Sequence, residues 1–293
     1  MTPLRVSPRN LGPQLLEDFC GYCYYYDVQM GFKLPFDRPM PGLMHNLDRF
    51  EKAIVDAHVA ANDTLPDWLS ELDCVSTVEF PAKLMHEYPE FDITLVGMPD
   101  AVFKRSNGKL CLVDYKTAKH KGSDDPFMPI YQAQLLGYAH LLESNGIGKV
   151  DSAALVYFEN RLSDHSSDPL ALITEQGFNV PFSVKIHEVE IDRPALRPLL
   201  KRLREFSNMT APPEGREKCR GCGLLRKLFD LEQEIRNHED VLRNRDQYFR
   251  QIMYPIREAN RRRAKHAWQD SDEATWPDQI MAVQDYVPAA WDL

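Results

Sequence analysis

The sequence predicts an α/β chain built on a small mixed β-sheet flanked by helices, with a long helix toward its C-terminal end. Three observations predict it. Residues 75–117 are crowded with β-branched and apolar side chains, and Asn107-Gly108 divides two of their runs as a hairpin turn. Segments on either side repeat apolar residues at three- and four-residue spacing, the period of a helix with one packed face. From about Leu224 onward the chain turns polar and carries no strand-like run, which reads as an exposed helix.

Taken in order, Ser7-Pro8 reads as a helix start, with Ser at the cap and Pro in the first turn. Leu11, Leu15 and Phe19 follow at helical spacing, and the segment ends in Cys20, Cys23 and Tyr24-Tyr25-Tyr26. Tyr22 and Tyr24–Tyr26 are expected to pack around those cysteines. A loop with Pro35, Pro39 and Pro41 leads to a second helix over roughly 43–60, where Leu43, Leu47, Phe50 and Ile54 form the expected buried stripe. Val75–Phe80, Ile93–Phe103 and Lys109–Lys116 read as strands, 129–144 as a helix, 152–159 and 183–191 as strands, and 193–207 as a helix. Pro212-Pro213 and Gly215 mark a linker to Cys219 and Cys222, and a long helix runs from Leu224 to Pro255 or on to His266. The organisation expected is an N-terminal helical segment over 1–70, a core over 71–210, the second cysteine pair and long helix over 211–265, and an acidic tail over 266–293.

At 293 residues with 43% apolar residues, the chain can bury a core without staples. Residues 1–20 hold Arg5, Pro8, Arg9 and Pro13 and no long apolar run, so no secretion signal is read there. No stretch approaches a membrane span, and a cytoplasmic protein is expected. The net charge of −9 sits poorly with nucleic-acid binding, which favours a basic footprint. Yet six of the acidic residues lie in the tail, which has no Lys or Arg, so the rest of the chain carries only −3. Of six cysteines, Cys74 and Cys111 stand alone beside apolar neighbours and read as small core residues. The other four form two C-x-x-C pairs, which in a chain with no secretion signal suggest metal ligation before disulfides.

The chemistry concentrates in Pro99-Asp100, thirteen intervening residues, and Asp114-Tyr115-Lys116-Thr117. Residues two apart in a strand share a face, so Asp114 and Lys116 point together. Asp100, on the preceding hairpin strand, is placed to approach them. Two carboxylates can hold one or two Mg²⁺ or Mn²⁺ ions through hard oxygens, with the extended-strand carbonyl of Tyr115 as a further ligand. A lysine beside them can orient water or stabilise charge on a phosphate.

This pattern resembles the PD-(D/E)xK nuclease superfamily, in the literal Pro99-Asp100 and Asp114-x-Lys116. Gln134 and Tyr138, four apart on one face of the following helix, match the Q-x-x-x-Y of its RecB-like and CRISPR-associated exonuclease-like branch. The resemblance covers roughly residues 8–225. It implies a restriction-endonuclease-like core and a deoxyribonuclease that acts on DNA, with a tilt toward single-stranded ends, in repair, recombination or defence. Asp100 and Asp114 are then metal ligands, Lys116 the water-positioning or charge-stabilising residue, and Gln134 and Tyr138 the support on the substrate side. The resemblance also proposes His45, on an upstream helix, as a further metal ligand. Glu79 on the first strand, and Lys119 and Lys121 past Thr117, are lesser candidates for the cleft.

RecB-like relatives often tie their chain ends with a four-cysteine iron–sulfur cluster, which implies that Cys20, Cys23, Cys219 and Cys222 hold [4Fe–4S]. The split here is two and two rather than one and three, and a structural Zn²⁺, which two such pairs also suit, is the alternative to the cluster. A catalytically silent DNA- or protein-binding subunit that keeps the fold is the competing reading. A protein partner through the C-terminal helix and acidic tail is a further expectation, and no membrane partner is expected.

Overall fold

The computed structural model describes residues 3–33, 42–162 and 168–237, together with residues 258 and 262. The chain divides into two compact units, residues 1–222 and 223–293. The first unit opens with β1 (Leu4–Val6) and a 3₁₀ segment over Pro8–Leu15. Ser7 caps that segment as its sequence suggests: its hydroxyl accepts from the Arg9 N–H, and its own N–H donates to the Asn10 side chain. The α-helix expected here is 3₁₀ instead, because Pro13 lies inside it and has no N–H for an i→i−4 bond. The cysteine pair does not end this segment but opens the next one, α1 (Gly21–Gln29), which buries Tyr24 and Val28.

The second helix, α2 (Gly42–Asn62), lies where expected, but its buried face does not. Leu43 is 71% exposed, Phe50 61% and Ile54 41%, whereas Glu51 and Val55 are buried. The inward face is thus rotated by about one residue, roughly 100°, from the predicted stripe. Hydrophobicity alone rejects that choice, since burying a carboxylate is unfavourable unless it finds a donor. Glu51 has one: the Thr117 hydroxyl donates to it at 2.7 Å.

Next come β2 (Cys74–Thr77), β3 (Leu84–Tyr88), β4 (Ile93–Gly97), β5 (Ala101–Arg105) and β6 (Leu110–Lys116). The single strand expected over 93–103 is therefore two. β4 pairs with β1 and β3 in one sheet, and β5 joins β2 and β6 in another. The break falls at Met98-Pro99-Asp100, where Pro cannot donate to a ladder. The β5–β6 turn is as predicted: Gly108 has φ +80°, and Asn107 accepts from the Lys109 N–H through its side chain.

From β6 the chain enters α3 (Met128–Ser144) and returns as β7 (Val150–Asn160) parallel to β6. The short hairpin β8 (Ile173–Thr174) and β9 (Gly177–Phe178) precedes β10 (Phe182–Val189), which is antiparallel to β7. The main sheet has the order β10-β7-β6-β5-β2, so it is mixed, as predicted. Helices α4 (Leu196–Asn208) and α5 (Arg220–Asn237) follow. Within the second unit, Arg262 meets Glu258 one helical turn away. The remainder of the expected long helix, the other arginines of 261–263 and the acidic tail lie outside the described residues.

β6 organises the core because both its faces are buried. Leu110 and Leu112 pack in one cluster with α3, α4 and the smaller sheet, whereas Cys111, Val113 and Tyr115 pack in another with Val55 of α2. Strand alternation then carries Asp114 and Lys116 onto the α3 face. The 3₁₀ segment approaches α3 closely through glycines. A Cβ on Gly12 would lie 2.6 Å from Ile130 Cα, and one on Gly137 2.6 Å from Pro8 Cβ.

Candidate active site

In the β5–β6 ladder Ala101 faces Val113, so the next position outward sets Asp100 opposite Asp114. Asp100 sits where the chain leaves one sheet for the other. Its Oδ2 accepts from the Tyr115 N–H at 3.0 Å, and its Oδ1 meets Lys52 Nζ of α2 at 2.9 Å. Lys52 also pairs with Asp48, one helical turn away, at 3.2 Å. Asp114 is 1% exposed. Gln134 Nε2 donates to its Oδ1 at 2.8 Å, and Lys116 Nζ lies against its Oδ2. The same ammonium stands over the Tyr131 ring, 4.6 Å from its centroid.

Electrostatics follow from that packing. Burial pushes Asp114 up to about 6; Lys116 opposes the rise and Asp100 adds to it. Glu51 is raised by burial as well, offset by the Thr117 hydroxyl and reinforced by Asp48 and Asp100. For Lys52, burial works against the charge, but Asp100 and Asp48 outweigh it and raise its pKa. The result is a crowded centre of four carboxylates and two ammoniums.

The structure thus brings together Asp100, Asp114, Lys116 and Gln134. Tyr138 stands one turn along α3 from Gln134, its ring so close to Gly97 that a Cβ there would lie 2.6 Å from it. Tyr115 turns its side chain to the other face of the sheet, onto Phe158. His45 is not brought in. It is exposed, and it lies two turns before Lys52 on the same helical face, about 10 Å along the axis. Among the described residues no third carboxylate or imidazole joins Asp100 and Asp114 at ligand spacing. Glu79 is exposed and, with Asp100, Lys52 and Tyr115, lines a cavity of 330 Å³; Lys119 and Lys121 are exposed. Sequence reasoning missed Glu51 and Lys52. The signal was the polar row Asp48, Lys52 and Asp56 on α2, at i, i+4 and i+8.

A second cluster gathers the chain's distant segments. The Sγ atoms of Cys20, Cys23, Cys219 and Cys222 all lie within 4.8 Å of one another. Cys20 and Cys222 are 3.3 Å apart, and Cys23 is 3.7 Å from both Cys219 and Cys222. Gly221 permits this approach, since a Cβ there would lie 2.8 Å from Cys23 Sγ. Burial works to raise the Cys20 thiol, but main-chain N–H groups of Cys23 and Arg216 and the neighbouring thiols outweigh it and bring Cys20 down to about 6. Burial pushes Cys222 up to about 11. Four cysteine sulfurs at this spacing are a donor set that could hold a metal. Of the tyrosines beside the first cysteine pair, Tyr24 is buried and packs against Phe19 and Phe206.

The family model of the PD-(D/E)XK nuclease superfamily matches residues 36–226. No curated protein matches the sequence. Among solved structures the chain is similar to that of SSO0001, at 13% identity over 71% of this chain and 78% of that one, with a TM-score of 0.36. No helix among the described residues is long and apolar enough to cross a membrane.

Proposed function

Because the chain belongs to the PD-(D/E)XK nuclease superfamily, we propose that it is an active, divalent-metal-dependent deoxyribonuclease that hydrolyses phosphodiester bonds near single-stranded ends. The observation that carries this reading is the pairing of Asp100 with Asp114 across adjacent strands, with Lys116 in contact with Asp114. The donor set suits a hard cation: two carboxylates and the Tyr115 carbonyl offer oxygen only. Asp114 Oδ2 is also buried with no hydrogen bond of good geometry, although the Lys116 ammonium lies beside it. Asp100, Asp114 and that carbonyl would hold an Mg²⁺ or Mn²⁺ ion, which would supply Lewis-acid neutralisation of phosphate charge and acidify water at the site.

The chain's own residues do the rest. Lys116, held between Asp114 and the Tyr131 face, presents an ammonium that orients the attacking water and stabilises charge on the phosphate. Gln134 fixes Asp114 by donating to Oδ1, which leaves the carboxylate one orientation. Tyr138 buttresses the chain where β4 gives way to Asp100, and it stands with Gln134 on the substrate side. Lys52 and the Tyr115 N–H hold Asp100 from two directions.

The four-thiol site we assign to a structural ion, and its spacing favours zinc over the [4Fe–4S] cluster that the resemblance implied. Four thiolates around one Zn²⁺ at about 2.3 Å would stand about 3.8 Å apart, within the range of the separations here, which run from 3.3 Å to no more than 4.8 Å. A cubane sets each thiolate on a different iron and spreads them wider. Elemental analysis separates the two: iron with visible absorbance overturns the zinc assignment. The reading places the protein in the cytoplasm with DNA as its partner, and it keeps the C-terminal helix and tail for a protein partner.

The test is incubation of the purified protein with single- and double-stranded DNA and Mn²⁺, beside Asp114→Ala and Lys116→Ala. Wild-type cleavage lost in both variants is expected. DNA binding without cleavage by the wild type would instead favour the catalytically silent subunit.

A further inference from the structure

The apolar face that α2 leaves exposed borders a second cavity, of 610 Å³, lined among others by Phe50, Ile54, Trp68, Phe158, Phe182 and Glu51. That volume is ordinary for a small-molecule site. Among the described residues its lining holds no lysine or arginine, and the one charged group there is a carboxylate. A phosphate is therefore excluded, and a flat, uncharged, aromatic ligand suits it. Phe50 is 61% exposed, so its ring is not consumed by the core, and covering it would recover apolar burial. Trp68 and Phe158 meet edge to face, with centroids 5.7 Å apart.

The cavity's position identifies its occupant. Glu51, in its wall, accepts from the Thr117 hydroxyl at 2.7 Å, and Thr117 follows Lys116 in the chain. In the parallel β6–β7 register Lys116 stands level with Tyr157, which sets Phe158 level with Thr117. The aromatic pocket therefore lies on the α2 face of the sheet, opposite the face that carries Lys116, and it meets the centre at the strand end, where Glu51 joins Thr117. A strand that passes over this end of β6 with a phosphate at Lys116 brings a base to the mouth of the pocket, and every base has a face that stacks on aromatic side chains.

We propose that this cavity is a base-binding subsite, which takes one nucleobase of the substrate strand beside the scissile bond and stacks it against Phe50. The proposal rests on the nuclease reading above. Stacking of one base by an aromatic side chain corresponds to roughly 5- to 100-fold in affinity. A set of single-stranded oligonucleotides, each with 2-aminopurine at one position, is titrated with wild type, Phe50→Ala and Phe50→Trp, with Ca²⁺ as the divalent ion. Cleavage of the unlabelled oligonucleotide with Mn²⁺ is mapped in parallel. The expected result is fluorescence quenching at one position next to the cut. Phe50→Ala loses that quenching and binds roughly 5- to 100-fold more weakly, and Phe50→Trp keeps both. Because Phe50 is mostly exposed, its truncation leaves folding intact, and circular dichroism checks this. Normal cleavage with no position-specific quenching and unchanged affinity in Phe50→Ala would overturn the subsite alone. A change in oligomeric state in Phe50→Ala, with DNA affinity unchanged, would assign the face to a second protein and also overturn it. Absence of any cleavage by the wild type strikes the nuclease reading instead.

Discussion

Asp114 is the most sharply perturbed acid of the centre, and replacing it with Asn isolates what that perturbation does to the fold. Its carboxyl titrates near 3.8 when exposed and is pushed up to about 6 by burial. The folded protein thus binds this proton more tightly than the unfolded chain. The stability it contributes is fully present below about pH 4 and is lost as pH rises through about 6. Two units correspond to about 3 kcal/mol, an upper bound because Lys116 loses its partner when the carboxylate is removed. Asn keeps the shape and still accepts from Gln134, but it never ionises. Without divalent metal, Asp114→Asn should therefore stabilise the protein at pH 8, and by less at pH 5, where roughly half the effect is already gone. Urea unfolding in chelator at the two pH values measures both differences, and subtracting one from the other cancels the acids common to both proteins. Equal effects at the two pH values, or a variant relatively weaker at pH 8, would refute the claim that a buried carboxylate is held here at the expense of stability. The same substitution should abolish cleavage, so stability and activity move in opposite directions.

Four further outcomes can be checked. Gln134→Leu removes a hydrogen bond to a buried carboxylate, so cleavage should fall roughly 10- to 100-fold, and the acid side of its pH profile should move upward. Lys52→Met takes one cation from a centre holding Asp48, Glu51 and Asp100, so Mn²⁺ should bind several-fold more tightly by calorimetry; weaker binding would mean that orienting Asp100 is its larger effect. Cys219→Ser with Cys222→Ser should leave no bound zinc by elemental analysis and lower the melting temperature by roughly 10 °C. Gly137→Ala would set a methyl 2.6 Å from Pro8 Cβ, and in thermal or urea unfolding this should cost about 1–3 kcal/mol despite the better helix propensity of Ala.

What the sequence revealed was whatever depends on local period and turn chemistry. Alternation within Leu110–Lys116 suffices to put Asp114 and Lys116 on one face, and Asn107-Gly108 suffices to fold the hairpin beside it. Gln134 and Tyr138 share a helical face for the same reason. What stayed hidden depends on which of several surfaces finds a partner. On α2 the row Leu47, Phe50 and Ile54 looked like the core, yet Glu51 and Val55 are the residues turned inward. The choice was made by a donor at Thr117, sixty-six residues away. Lys52 entered the centre by the same route. β3, with His86 and Glu87 in five residues, has too little apolar alternation to be seen, and it exists because β4 lies beside it. The break at Pro99 was printed in the sequence, but its use as a crossing between two sheets was not.

The join between residues 20–23 and 219–222 has a consequence for how the protein comes into being. A chain emerging from the ribosome presents its first two thiols early, then the whole of the main sheet and α3, and only afterward the second two. The last tie to form is therefore the one between the earliest and latest segments of this unit. A polypeptide released before residue 219 would carry a complete reaction centre on a body whose two margins have nothing to fasten them.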